Sequence, residues 1–183
     1  MHFRTTTLRA IAALALGLAA TFGVRADEAP VPATQNPASF VDRIADHASA
    51  SVFAVQNTLE TALDLIGIRY HRGGTSPETG FDCSGFVSHV FKQGLGLYLP
   101  HNAKQISKEG EVVAKGELQP GDLVFFNTMQ RDFSHVGIYV GDGKFIHSPK
   151  PGAQVRVEDM HAAYWSRRFD GARRVMTDEP VTD

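Results

Sequence analysis

The chain contains very little sulfur: Cys83 is the only cysteine among 183 residues. An intramolecular disulfide is therefore excluded, and packing alone must hold the folded protein together. A single thiol is open to oxidation in an oxidising compartment, which favours a functional explanation for it. Cys83 is either core filling or a functional nucleophile, and the surrounding sequence has to decide between them.

Long apolar runs are also scarce, and the longest spans residues 10–24. Arg4 and Arg9 precede it, and Val24-Arg25-Ala26 resembles a small-x-small cleavage site. This pattern predicts a secretory signal peptide over residues 1–26. An uncleaved anchor is the alternative, but the run is short for a membrane span. We therefore expect an exported protein, periplasmic or secreted, with no stable membrane anchor after cleavage.

The sequence has no excess of basic residues. Its formal charge is −2, and removal of residues 1–26 would leave 15 basic and 20 acidic residues, a charge of −5. Nucleic acid is excluded as a partner because phosphate binding needs a concentrated basic surface. No paired cysteines or H-x-x-x-H spacing occur, so we expect neither a metal nor another cofactor. The remaining length suits one domain.

Composition divides the chain into four segments, of which the predicted signal peptide is the first. Residues 27–39 contain Pro, Ala and Glu without apolar periodicity, which predicts a flexible linker behind the signal peptide. Residues 40–66 carry apolar side chains at helical spacing and predict one or two helices that stop at Gly67. The folded domain is expected over residues 40–177, followed by a disordered tail at 178–183.

A loop is predicted immediately before the cysteine, because residues 73–80 contain three glycines and a proline. The apolar stripe within residues 86–91 predicts a helix that begins at or beside Cys83 and ends at Gly94. A shorter helical piece is expected over residues 102–108.

The second half of the chain has β character. Five short alternating or β-branched runs are separated by Gly, Pro and Asp. They predict strands at residues 121–127, 135–140, 144–147, 153–158 and 171–176. Helices followed by strands indicate an α+β domain with an antiparallel sheet.

The predicted position of Cys83 is chemically suggestive. Backbone N–H groups and the positive pole of a helix N-terminus favour a thiolate over a thiol, and an imidazolium partner favours it further. We therefore expect the pKa of Cys83 to be lowered. Asp82 opposes this by its charge, unless it caps the helix or faces substrate.

A base is still needed, and eight histidines are available. His101 lies in a loop and could line a cleft, but nothing local fixes it. His135 and His147 flank one hairpin. A three-residue loop at 141–143 would place both on one face, within hydrogen-bonding reach, with Gly137 leaving room between them. A two-residue turn would place them on opposite faces. Alternatively, both histidines are ordinary side chains on a sheet and have no catalytic role.

Five blocks, in order between residues 59 and 175, carry a resemblance to a known family. They are "YHRGGTSPETGFDCSGFVSHVF", "LPHNAKQ", "LQPGDLVFF", "SHVGIYVGDGKFIHSP" and "YWSRRFDGARRV". Together they resemble the NlpC-type papain-like cysteine peptidases, which cut peptidoglycan stem peptides. The resemblance implies a papain-like α+β fold, with N-terminal helices and the catalytic helix packed on the antiparallel sheet.

The same resemblance implies the roles of six residues. The nucleophile falls on Cys83, the general base on His135 and the third polar residue on His147. Substrate-binding positions fall on Tyr70, Asp82 and Ser84. For Tyr70 the alternative is core packing, and for Asp82 it is an ordinary helix cap.

The activity implied by the resemblance is hydrolysis of amide bonds in stem peptides or cross-links through a thioester acyl-enzyme, without a metal. The scissile bond stays open between D-Glu to diaminopimelate and D-Ala to diaminopimelate. A related amidase or acyltransferase is one alternative, since fold does not settle reaction class. The other is a non-catalytic wall-binding or regulatory protein. Too few residues precede the matched region for a separate wall-binding module, so we expect substrate to be found by the cleft itself or through a protein activator or adaptor.

Overall fold

A computed structural model describes residues 37–175. The predicted signal peptide, most of the predicted linker and the predicted tail lie outside these residues. The described elements, in chain order, are α1 (Pro37–Asp64), β1 (Thr75–Ser76), β2 (Gly80–Phe81), α2 (Cys83–Leu95), α3 (Ala103–Ile106), β3 (Glu111–Val113), a 3₁₀ turn (Lys115–Glu117), β4 (Leu123–Phe126), β5 (His135–Gly141), β6 (Lys144–His147), β7 (Arg156–Asp159), α4 (Ala163–Ser166) and β8 (Phe169–Arg174).

The main sheet has six antiparallel strands in the order β3-β8-β4-β5-β6-β7, and β1 and β2 form a separate small hairpin. The predicted α+β class with an antiparallel sheet is confirmed. All five predicted strands are present: β6 has the predicted bounds, β5 is one residue longer, and the other three are shorter or shifted. Strand β3 was not predicted, because three residues are too few to show an alternating pattern.

The sheet is covered on both faces by apolar side chains. Val136 and Ile138 of β5 belong to the core cluster that also contains Phe86 and Val87 of α2. The opposite face carries a second cluster around Phe126, Phe145 and Trp165. Because successive side chains of a strand alternate between faces, the helix α2 packs on one face while the aromatic cluster covers the other.

Helix α1 is one continuous helix of 28 residues rather than two. It begins at Pro37, three residues inside the segment predicted as linker, and ends at Asp64 before Gly67. Its C-terminal half packs against α2 through Leu59, Ala62 and other core residues. None of the helices within residues 37–175 is long and apolar enough to cross a membrane.

The glycine that ends helix α2 lies two residues later than the sequence predicted. Gly94 was expected to stop it, but Gly94 lies inside the helix. A Cβ at Gly94 would lie 2.6 Å from the Cα of Thr58, so the missing side chain lets α1 approach α2 closely. The left-handed C-terminal residue is Gly96, with φ +69°, and its N–H donates to the carbonyl of Lys92.

Candidate active site

Cys83 is the first residue of α2, and Asp82 is its N-cap. The Asp82 carboxylate accepts hydrogen bonds from the Gly85 N–H at 2.8 Å, the Gly73 N–H at 3.0 Å and the Ser84 hydroxyl at 3.0 Å. These bonds satisfy helix N–H groups that lack an intrahelical partner and tie the preceding loop to the helix start. Hydrogen bonds on both sides of Cys83 therefore fix the backbone that carries the sulfur.

His101 is a further partner of Asp82. Its Nε2 lies 2.9 Å from one carboxylate oxygen and 3.0 Å from the other. The side chain is 36% exposed, so it sits at the edge of the site rather than in the core. Sequence reasoning placed His101 in a loop beside a cleft but could not identify Asp82, 19 residues away, as the group that fixes it.

The hairpin of β5 and β6 brings His135 and His147 together. His135 Nε2 lies 2.7 Å from His147 Nδ1, and the rings are nearly perpendicular. Both side chains are buried. The expectation that the two imidazoles share one face and form a hydrogen bond is met.

The turn between β5 and β6 has the length of one alternative considered from the sequence and the strand pairing of the other. Gly141 pairs with Lys144, and Asp142 and Gly143 both have positive φ, so the turn itself has two residues. Of the two turn lengths considered, the shorter one is therefore observed. A register shift between Tyr139 and Gly141 adds one residue to β5. This bulge restores the pairing that the three-residue loop would have given, and both histidines return to one face.

Gly137 makes the pair of rings possible. A Cβ at this position would lie 2.7 Å from a ring carbon of Phe145 and 3.2 Å from the Cβ of His147. The sequence indicated that Gly137 leaves His147 room, and the packing agrees.

Glu158 was missed by the sequence reasoning. It lies on β7, and its Oε1 is 3.5 Å from His147 Nε2. The same carboxylate accepts hydrogen bonds from the Trp165 indole N–H and, at 2.5 Å, from Arg156 Nε. Its strand was predicted, but an isolated Glu in "AQVRVE" gives no sign that its side chain lies beside a histidine of the neighbouring strand.

The protonation states differ from the expected ones. Burial raises the pKa of Cys83 to about 11, and the charge of Asp82 raises it further. The backbone N–H groups of Val136, Ser84 and Cys83 favour the thiolate, but they are outweighed. Burial and the neighbouring His147 lower the pKa of His135 to about 3. The resting site therefore holds a neutral thiol and a neutral imidazole, and the expected lowering of the Cys83 pKa is wrong.

The thiol lies where two adjoining cavities meet, one of about 770 Å³ and one of about 700 Å³. His101 and Arg131 line only the first, while Lys150 and Trp165 line only the second. The cleft thus extends from Cys83 in two directions. Residues common to both cavities are Tyr70, Arg72, Cys83, Met129 and Ser134.

Tyr70 lies in this shared wall. Burial raises the pKa of its phenol, and the proximity of the two acidic groups Cys83 and Asp82 raises it further. The phenol is therefore close to the cysteine and neutral at physiological pH. Ser84 lines the first cavity, but it is buried and its hydroxyl donates to Asp82.

The comparisons with known proteins agree on one family. Residues 67–174 match the model of the NlpC/P60 family. Murein DD-endopeptidase MepH of Escherichia coli (strain K12) is 41% identical over 127 residues, 68% of this chain and 47% of its own. Gamma-DL-glutamyl hydrolase of Bacillus subtilis (strain 168) is 44% identical over 131 residues, 71% of this chain and 30% of its own. This chain thus spans about half or less of these curated relatives.

A solved structure shows the same fold. The NlpC/p60 domain of the peptidoglycan hydrolase SagA superposes with a TM-score of 0.58 and 30% sequence identity. The match covers 66% of this chain and 98% of that domain. The papain-like fold and the family resemblance inferred from the sequence motifs are both confirmed: the chain belongs to the NlpC/P60 family.

Proposed function

We propose that this protein is a cysteine peptidase that hydrolyses amide bonds in peptidoglycan. One observation carries the proposal: His135, which lines the same cavity as Cys83, is hydrogen-bonded at 2.7 Å to His147. A nucleophile, a base and a group that orients the base make up the set that acyl transfer requires. The names of the relatives, murein endopeptidases and a gamma-DL-glutamyl hydrolase among them, support the substrate class.

The first half of the reaction forms a thioester. Because the resting pair is neutral, His135 removes the Cys83 proton as the sulfur attacks the amide carbonyl. The negative charge moves to the carbonyl oxygen, which accepts a hydrogen bond from the backbone N–H of Cys83. The C–N bond then breaks, and the imidazolium gives its proton to the leaving amine.

The second half releases the acyl group. His135 takes a proton from water as the water oxygen attacks the thioester. The C–S bond breaks, and the proton returns to the sulfur of Cys83. His147 holds the imidazole in place during both halves, and because it is uncharged it adds no negative charge beside the thiol.

The remaining site residues bind substrate or support the site. Tyr70 is assigned to substrate or oxyanion contact because it lines both cavities beside the sulfur. Asp82 combines the cap with one wall of the first cavity. Ser84 supports Asp82 through its hydroxyl.

The two-sided cleft favours an endopeptidase, because substrate can extend from the scissile bond in both directions. The reaction on a cell-wall polymer also fits export by the predicted signal peptide, to the periplasm or the exterior. No nucleic acid, metal or other cofactor enters the proposal.

Digestion of defined muropeptides, read by mass spectrometry, tests it. The wild-type protein should release fragments with a new peptide amine, whereas Cys83→Ala and His135→Ala should release none. Fragments joined to an added amine would instead identify an acyltransferase. Intact substrates with the wild-type protein, on both stem peptides and cross-linked dimers, would contradict the hydrolase assignment.

A further inference from the structure

The imidazole of His147 presents a buried donor position that the proposed mechanism does not use. His147 is fully buried, and within the described residues its Nε2 has no hydrogen-bond partner within bonding distance. An unpartnered buried polar atom is costly and calls for an explanation. The nearest acidic atom is Oε1 of Glu158, at 3.5 Å.

We propose that Glu158 is a positioning residue that fixes the tautomers of both His147 and His135 through the Nε2 atom of His147. This inference rests on the proposed function, because it assigns to Glu158 the task of keeping the base of that reaction in its active form. Glu158 lines the second cavity, and in this scheme it acts on the base through His147 rather than on the sulfur.

The position of each proton follows from what the neighbouring atoms can donate or accept. A carboxylate only accepts hydrogen bonds, so His147 beside Glu158 carries its proton on Nε2. In a neutral ring the other nitrogen is then an acceptor, so His147 Nδ1 accepts from His135 Nε2 at 2.7 Å. His135 therefore carries its proton on Nε2, and its Nδ1 is left with a free lone pair. That nitrogen is the one that can take the thiol proton.

The opposite arrangement disables the base. If His147 carried its proton on Nδ1, it would donate to His135 Nε2, and His135 would carry its own proton on Nδ1. His135 could then no longer accept the proton of Cys83. The hydrogen bond between the rings is compatible with both arrangements, so a group outside the pair must choose between them.

The surroundings hold the carboxylate in position for this choice. Trp165 donates its indole N–H to one oxygen of Glu158 and Arg156 donates to the other. Trp165 also stacks on His135 with ring centroids 5.6 Å apart. His147, together with the donors Trp165 and Arg156, lowers the pKa of the Glu158 carboxyl to about 2, so the carboxyl is ionised at neutral pH.

The variant Glu158→Gln tests the inference. Trp165 and Arg156 donate to different oxygens of the Glu158 carboxylate, but an amide has only one oxygen. When that oxygen accepts from Trp165, the amide NH₂ takes the place of Oε1, the atom that faces His147 Nε2. That NH₂ requires an acceptor, which favours the inactive tautomer. Removing a carboxylate that fixes a tautomer costs about 10⁴-fold in kcat when it contacts the base directly. Glu158 acts one ring further away, and we expect a loss of roughly 10- to 100-fold in kcat with KM unchanged.

Ring-nitrogen NMR of the full-length protein reads the tautomers without substrate. In wild type, His135 and His147 should both be protonated at Nε2, and in Glu158→Gln the Nδ1-protonated forms should appear. Asp159→Asn is the matched control, because it removes the same charge from the adjacent exposed residue and should change neither the tautomers nor kcat. Glu158→Asp should restore part of the activity, since it keeps the acceptor.

Several results would overturn the inference. Wild-type His147 protonated at Nδ1 would do so regardless of how any variant folds. Glu158→Gln with wild-type tautomers and wild-type kcat, at an unchanged melting temperature, would also do so. If the wild-type protein cleaved no muropeptide but showed the expected tautomers, the proposed function would fail while the role of Glu158 in setting the tautomers stood.

Discussion

The reactivity of Cys83 toward a small electrophile should be low in the free protein. Only the thiolate reacts with reagents such as iodoacetamide. With a pKa of about 11 instead of the 9.0 of an ordinary thiol, Cys83 holds about 100-fold less thiolate at pH 7. We therefore expect alkylation of the folded protein to be slower by about this factor than alkylation of the same chain unfolded in guanidinium.

The competing possibility is a resting thiolate–imidazolium pair, and magnitudes argue against it. Two unit charges about 4 Å apart attract by roughly 4 kcal/mol at an effective dielectric constant of 20, which is about three pKa units. The pKa values of about 11 for Cys83 and about 3 for His135 differ by about eight units. The attraction does not close that gap, so the proton stays on sulfur until substrate arrives.

Mass spectrometry of the intact chain measures this directly, because Cys83 is the only thiol and every adduct reports on it. Burial also slows alkylation, so the midpoint of the pH profile is the diagnostic quantity. A rate that keeps rising above pH 9 supports a neutral resting pair. A rate that reaches a plateau with a midpoint below pH 7 would refute the reasoning. Slow alkylation alone does not exclude an enzyme, since the base acts when substrate is bound.

Three further predictions follow from the same contacts. Asp82→Asn should speed alkylation of Cys83, because it removes a charge that raises the thiol pKa while Asn still caps the helix; an unchanged profile would contradict this. Gly137→Ala should lower unfolding free energy by about 1–3 kcal/mol and reduce turnover, measured by denaturant titration and muropeptide assay, because its Cβ meets His147. Acidification should destabilise the protein: the pKa of His135 is about 3 when folded and about 6.5 when unfolded, so the unfolded chain binds the proton first. Stability present above pH 6.5 should fall by about 1.4 kcal/mol per pH unit toward pH 3, and His135→Gln should flatten that slope.

The sequence predicted the parts of the site that depend on local order. Asp82 before an apolar stripe predicts a helix start, and the start places Cys83 at the N-terminus. The placement of His135 and His147 on one face followed from strand alternation for one of the two turn lengths considered. Glu158 could not be found in this way, because its contact with His147 depends on the register of a third strand, β7.

The end of α2 and the pKa of Cys83 could not be predicted from the sequence, because both depend on tertiary packing. Two glycines near the end of α2 are equivalent as sequence signals, and only the close approach of Thr58 to Gly94 decides that Gly96 ends the helix. The pKa of Cys83 depends on how deeply the sulfur is buried, and no pattern of residues measures that depth. Helix position alone therefore gave the wrong direction of the shift.

The extra residue in β5 constrains how this hairpin can tolerate insertions and deletions. Tyr139 pairs with Phe145 and Gly141 with Lys144, so Val140 is the unpaired residue of the bulge. Deleting Val140 would leave Tyr139 opposite Phe145 in a regular hairpin, and His135 would stay on the face that carries His147. An added residue that neither the turn nor a bulge absorbs would instead move the imidazole of His135 to the opposite face and break its hydrogen bond with His147. Shortening by one residue should therefore be tolerated here, whereas lengthening should be tolerated only where a further irregularity absorbs the extra residue.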